Sequence, residues 1–178
     1  MKKLLLAILL IASAPLMAQI KSASLTASGL TCSMCSKAIY KALLKVPEIK
    51  GVSVDVEKSV YKVTFKENAK IEIEDVKRAV TDAGFSVASM QIRANFNDVE
   101  VSNGYSMILS GNKLLFLAVN KQKLSGEKTV TIVDKGYISD RDFKKYSKTQ
   151  GPGNLFAQTT TTAAGTTDRV YHVILDSL

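Results

Sequence analysis

The chain has 178 residues, 46% of them apolar, with 24 Lys and Arg against 16 Asp and Glu and a formal net charge of +8. The basic excess is thinly spread, four charges over residues 19–95 and two over residues 96–178. With no long block of like charges and few aromatic residues, the footprint of a nucleic-acid-binding protein is missing.

Lys2 and Lys3, the apolar run Leu4 to Ala14, and Leu16-Met17-Ala18 ahead of Gln19 read as a secretory signal over residues 1–18. The mature chain is then expected in an oxidising compartment, the periplasm or the exterior. The apolar run is about half of what a membrane-spanning helix needs, and no later run approaches that length. No membrane anchor is therefore expected once the signal is removed.

Residues 22–92 alternate between two periods. Ala23, Leu25 and Ala27 face one way and Ser22, Ser24, Thr26 and Ser28 the other, as in a half-buried strand that ends at Gly29. Cys35, Ala38, Ile39, Ala42, Leu43 and Val46 then follow helical spacing up to Pro47. Val52, Val54 and Val56, the turn Glu57-Lys58-Ser59, and Tyr61, Val63 and Phe65 form a hairpin. Val76, Ala79, Val80 and Ala83 predict a second helix, with Glu72, Glu74 and Asp75 in its first turn and Gly84 closing it. A last strand runs from Val87 to about Ile92. The order βαββαβ in about 70 residues predicts a ferredoxin-like unit over residues 19–93, a four-stranded antiparallel sheet with both helices on one face.

One site stands out. The two cysteines of the chain are Cys32 and Cys35, spaced as CxxC where the first strand gives way to the first helix. Such a pair closes on one soft metal ion or on itself as a disulfide. Gly29-Leu30-Thr31-Cys32-Ser33-Met34-Cys35, Val46-Pro47, Val52-Ser53-Val54 and Ala83-Gly84-Phe85 together resemble the heavy-metal-associated domain, over essentially all of residues 22–92. The resemblance implies metal carriage by Cys32 and Cys35 and no enzyme activity. It places Thr31 and Met34 in the metal loop, with Met34 pointing outward, and Phe85 beside the thiolates. Leu30 stands where family members usually carry a Met that packs beneath the loop, an apolar exchange of similar volume.

The chemistry of two thiolates points to Cu(I), which accepts low coordination numbers, with Hg(II) as an alternative. Zn(II) fits less well, because a structural zinc site wants four ligands and Thr31 offers no carboxylate. A helix start also favours thiolate over thiol. The rival reading is a thiol–disulfide redox protein, but neither a Trp before the pair nor a Gly-Pro within it is present. Lys37, Lys41 and Lys45 recur every four residues and form a basic stripe on the solvent face of the first helix. Such a stripe suits docking of an acidic metal donor or acceptor protein. The expected function is thus an exported carrier that takes up Cu(I) and passes it on by ligand exchange, with scavenging of mercury or another thiophilic metal as the alternative.

Past Arg93 the helical period fades. Val99–Val101, Tyr105–Leu109, Leu114–Val119, Thr129–Val133 and Val170–Leu175 read as short strands, with one helix from Ser139 as N-cap through Tyr146. A small β-rich domain over residues 96–178, barrel- or OB-like, is expected, with Gly151-Pro152-Gly153 and Thr159–Thr167 as loops. His172 alternates with Val170 and Ile174 and reads as a packed or surface residue rather than a ligand. Asp140 and Asp142 read as helix-start acids.

Overall fold

The computed structural model describes residues 19–30, 33–149 and 169–176. The signal over residues 1–18, the loops at 151–153 and 159–167, Thr31 and Cys32 fall outside them.

The first half follows the expected order: β1 (Gln19–Ser28), α1 (Ser33–Leu43), β2 (Ile49–Asp55), β3 (Val60–Phe65), α2 (Ile73–Asp82) and β4 (Ser86–Val101). The strands line up as β2-β3-β1-β4 with antiparallel pairing throughout, which is the ferredoxin-like arrangement. The alternation seen in the sequence is the burial pattern. Ala23, Leu25 and Ala27 of β1 and Tyr61, Val63 and Phe65 of β3 are buried. Ile20, three residues before Ala23, reaches the same side because a register shift between Ile20 and Ser22 absorbs the odd residue.

Both helices differ slightly from their expected outlines. α1 stops at Leu43, and Lys45 and Val46 follow in a tightened turn whose amides donate to the carbonyls of Ala42 and Leu43, each at 3.1 Å. Its buried edge is Ser36, Ile39 and Leu43, whereas Ala38 is exposed. Ile73, Val76 and Val80 are the buried edge of α2. Gly84 follows its C-cap Ala83 with φ +89°, a conformation that side chains with a Cβ resist, and its amide donates to Thr81 at 2.9 Å.

The second half does not begin with a loop. β4 continues for 16 residues to Val101, so the boundary expected at residues 93–96 falls inside a strand, and the separate strand expected at Val99–Val101 is the end of β4. A register shift between Phe96 and Val99, with Asp98 at φ +53°, bends the strand without interrupting its pairing to β7. Beyond it come β5 (Ser106–Leu109), β6 (Asn112–Phe116), β7 (Gln122–Ile132), α3 (Asp140–Thr149) and β8 (Val170–Leu175). β7 is more than twice the expected length, because its first half is a polar stretch without an alternating signal. All eight strands form one sheet in the order β2-β3-β1-β4-β7-β8-β6-β5, with β6 and β8 parallel. Among the described residues no ladder joins the edge strands β5 and β2, or β5 and β4.

The core is continuous across the halves. Leu25, Ile39, Tyr61, Val80 and Ile92 belong to the same buried cluster as Phe96, Leu114, Phe116, Val130, Tyr137 and Val173. A second cluster on the other side of β8, Leu115, Leu117, Val133 and Ile138, is completed by Phe143 and Tyr146 of α3. Ser139 caps α3 as expected, its Oγ accepting from the Asp142 amide at 3.2 Å.

Candidate metal site

β1 delivers the chain to the site and α1 carries it away. Gly29 turns the backbone at φ +88°, and Leu30 then packs against the core, as expected for the residue beneath the loop. Cys35 lies in the first turn of α1 and is partly buried, while Met34 beside it is 70% exposed, in line with an outward-pointing thioether. Phe85, at the turn from α2 into β4, packs partly buried on the core, and its Cδ1 lies 4.0 Å from where a Cβ on Gly29 would stand. The fold thus brings Phe85 near Gly29, 56 positions away in sequence.

A family profile described as the heavy-metal-associated domain matches residues 24–86. The periplasmic component of the mercuric transport protein of Pseudomonas fluorescens is 38% identical over 86 residues, which is 48% of this chain and 93% of that protein. The chain belongs to the heavy-metal-associated domain family. The copper chaperone CopZ of Staphylococcus haemolyticus is 32% identical over 59 residues, 33% of this chain and 85% of that one. The crystal structure of oxidized MerP from Ralstonia metallidurans shares 34% identity over 38% of this chain and 96% of the other, with a TM-score of 0.35. The heavy-metal-associated domain therefore accounts for the first half of the chain, and the second half lies beyond the match.

Lys37, Lys41 and Lys45 are all exposed, but Lys45 lies past the end of α1. Lys41 and Lys45 border a groove of about 550 Å³ between α1 and α2, together with Asp75, Arg78 and Asp82. Asp75 pairs there with Arg78, and Lys37 does not line the groove.

Glu74 and Asp75 lie in the first turn of α2, as expected, and Glu74 makes further contacts beyond the helix. Glu72, at the N-cap, makes no capping hydrogen bond through its side chain. Asn112 of β6 takes that place: its Oδ1 accepts from the Ile73 amide at 3.3 Å, and its Nδ2 donates to the Ile71 carbonyl at 2.6 Å. Glu74 turns toward the second half, accepting from the Tyr137 hydroxyl at 2.6 Å and pairing with Arg169 and Lys77, each at 2.5 Å. Burial alone would raise the Glu74 carboxyl, but hydrogen bonds from Lys77 and Tyr137 and the charges of Arg169 and Lys77 outweigh it and hold the group below the usual glutamate range. Burial, followed by the bond to Glu74, drives the Tyr137 phenol far upward, so it remains a donor. An Asn opening the apolar run Asn112-Lys113-Leu114-Leu115-Phe116 was the one sequence signal for this junction, since a buried amide needs partners.

His172 is buried, as expected of a packed residue. Its partner is Asp134, and among the described residues no group of three or more His, Cys, Asp or Glu side chains is placed to hold a metal. No helix among them is long and apolar enough to cross a membrane.

Proposed function

We propose that this protein is an exported carrier of a soft metal ion, held by the thiolates of Cys32 and Cys35 and handed to a partner by ligand exchange. The observation that carries the reading is the position of Cys35 in the first turn of α1, six positions past the turn at Gly29, within a heavy-metal-associated domain. Two cysteines spaced as CxxC suit a d10 ion that is content with two ligands. Transfer between two such sites needs little driving force, because each departing sulfur is replaced by an arriving one. Met34, exposed beside Cys35, offers a soft apolar contact to the incoming partner.

Cu(I) is the cargo in this reading. Hg(II) is the second reading, favoured by the mercuric transport relatives, which match over more of this chain than the copper chaperone does. Anaerobic titration of the reduced mature protein with each ion, against a competing chelator, tests both. One equivalent of Cu(I) should bind tightly, and Cys32→Ser or Cys35→Ser should each lower affinity by several orders of magnitude, since one thiolate cannot hold the ion against competing thiols. Tight binding by either single variant would remove the site assignment. Preference for Hg(II) under thiol competition would replace copper with mercury. An oxidised pair that turns over reduced substrate proteins would instead make this a redox protein.

A further inference from the structure

Two neighbouring strands of the second half, to which the family match assigns no role, end at different places. β8 pairs with β7 at Val130, Thr131 and Ile132, with one further bond from the Asp176 amide to the Thr129 carbonyl at 3.4 Å. β7 itself begins at Gln122 and is held from there onward by β4 on its other side. From Gln122 to Lys128, the edge of β7 that faces the line of β8 therefore has no strand against it among the described residues. Successive residues of an antiparallel strand turn their amide and carbonyl to alternate sides, so Glu127 presents both groups to the same side as the Thr129 carbonyl.

A cavity of about 760 Å³ lies in this lane. Glu127, Lys128 and Thr129 all line it, although successive side chains of a strand point to opposite faces of a sheet. A hollow on one face would meet every second residue. This one runs along the strand's edge, with residues 118–120, which follow β6, as its opposite wall and Leu175 and Asp176 at its head. Since β8 lies between β7 and β6 in the sheet, the lane continues the place of β8 beyond its end.

The charges along the lane are not equally committed. Glu127 pairs with Lys21 at 2.5 Å and Lys123 with Asp98 at 3.2 Å, while the Asp176 carboxylate accepts from Gln91 and Thr131 at 2.9 and 2.6 Å. Exposed Arg93 and half-buried Lys128 also line the cavity, and neither has a carboxylate partner among the described residues. Arg93 stands opposite Thr129 in the ladder and Lys128 opposite Ala94, so the two cations belong to opposite faces. An extended segment in the lane would meet one on each side. Cations along β7 also repel a second copy of the same strand.

We propose that this lane takes a short acidic segment of a partner protein, added as a strand in line with β8 and antiparallel to β7, with backbone bonds to Glu127 and carboxylates beside Arg93 and Lys128. Backbone pairing supplies the affinity, and the two cations select the sign of the segment's charge. This docking role belongs to the second half and does not depend on the metal-carrier reading.

The test uses the full mature chain and a hexapeptide of alternating Glu and Val, blocked at both ends, with fluorescence anisotropy reporting affinity and hydrogen exchange reporting position. The peptide should bind saturably and slow exchange of the Glu127 amide. Lys in place of its Glu residues, or methyl groups on its central backbone nitrogens, should abolish binding. Arg93→Glu and Lys128→Glu should each weaken binding about tenfold or more. Lys37→Glu, on α1 and outside the lane, should change it by less than about twofold. No saturable binding, equal binding of the Lys peptide, or a Glu127 amide that exchanges as fast with peptide as without would overturn the proposal. Binding that appears only after Ser177 and Leu178 are deleted would overturn it in favour of the chain's own end. A dimer in sedimentation whose Glu127 amide is protected without peptide would overturn it in favour of a second copy.

Discussion

Asp134 holds His172 at two points with one carboxylate: Oδ2 accepts from the His172 backbone amide at 2.8 Å, and Oδ1 lies 2.7 Å from Nδ1. The pair joins β8 to the turn that carries Tyr137, whose amide in turn donates to the Asp134 carbonyl at 3.0 Å. Asp134→Ala would leave a buried imidazole and a backbone amide short of their acceptor, at a cost of about 1–3 kcal/mol. Urea unfolding should show that loss as a lower midpoint with an unchanged slope. A midpoint equal to that of the unsubstituted protein would mean that water replaces the carboxylate without penalty.

Tyr61 presents the opposite case. The ring is fully buried on β3, and its hydroxyl has no hydrogen-bond partner among the described residues. An unpaired buried hydroxyl is a cost that phenylalanine avoids while filling the same space. Tyr61→Phe should therefore leave stability unchanged or raise it by about 1 kcal/mol, read as an equal or higher melting temperature. Destabilisation beyond that would mean the hydroxyl has a partner after all.

Acid should loosen the junction between α2 and the second half through Glu74. Its carboxyl is held below its ordinary value in the folded protein, so the folded state favours the ionised form. That contribution is fully present above the ordinary glutamate value of about 4.3 and is lost as pH falls through the lowered folded value. Glu74→Gln should be less stable than the unsubstituted protein at neutral pH, and the two should converge on acidification below about pH 4. Parallel stability curves over that range would show that Glu74 does not contribute to the acid response.

Among the lysines, position now ranks the expected effects on transfer. Lys41 and Lys45 line a groove together with Asp75, Arg78 and Asp82, and Lys37 does not line it. If long-range attraction guides an acidic partner, Lys37→Glu should slow transfer more than Lys45→Glu, and added salt should slow transfer by the unsubstituted protein. Metal affinity should stay nearly constant in both variants. Transfer rates indifferent to salt and to both reversals would reduce these lysines to a solvated surface and favour scavenging over delivery.

The first half of this protein is legible in its sequence because its signals are local. Alternation over Ala23–Ala27 and Tyr61–Phe65, helical spacing over Val76–Val80, and the glycines at 29 and 84 each act over a few residues, and the CxxC spacing needs no knowledge of the rest of the chain. Ser139 as the cap of α3 was readable for the same reason. What tertiary structure alone decided lies between residues far apart. The side chain of Asn112 reaches an amide 39 positions away, and Tyr137 a carboxylate 63 positions away. Glu74 is the helix-start acid that the sequence indicates, but its partners Tyr137, Lys77 and Arg169 are set by the fold. β4 runs through the expected boundary because β7 supplies its backbone groups with partners, and an edge left unpaired at residue 93 would have ended it. Local periodicity thus determined the elements of the metal-binding half, while hydrogen-bond satisfaction over long separations decided that the second half shares its sheet, its core and its helix.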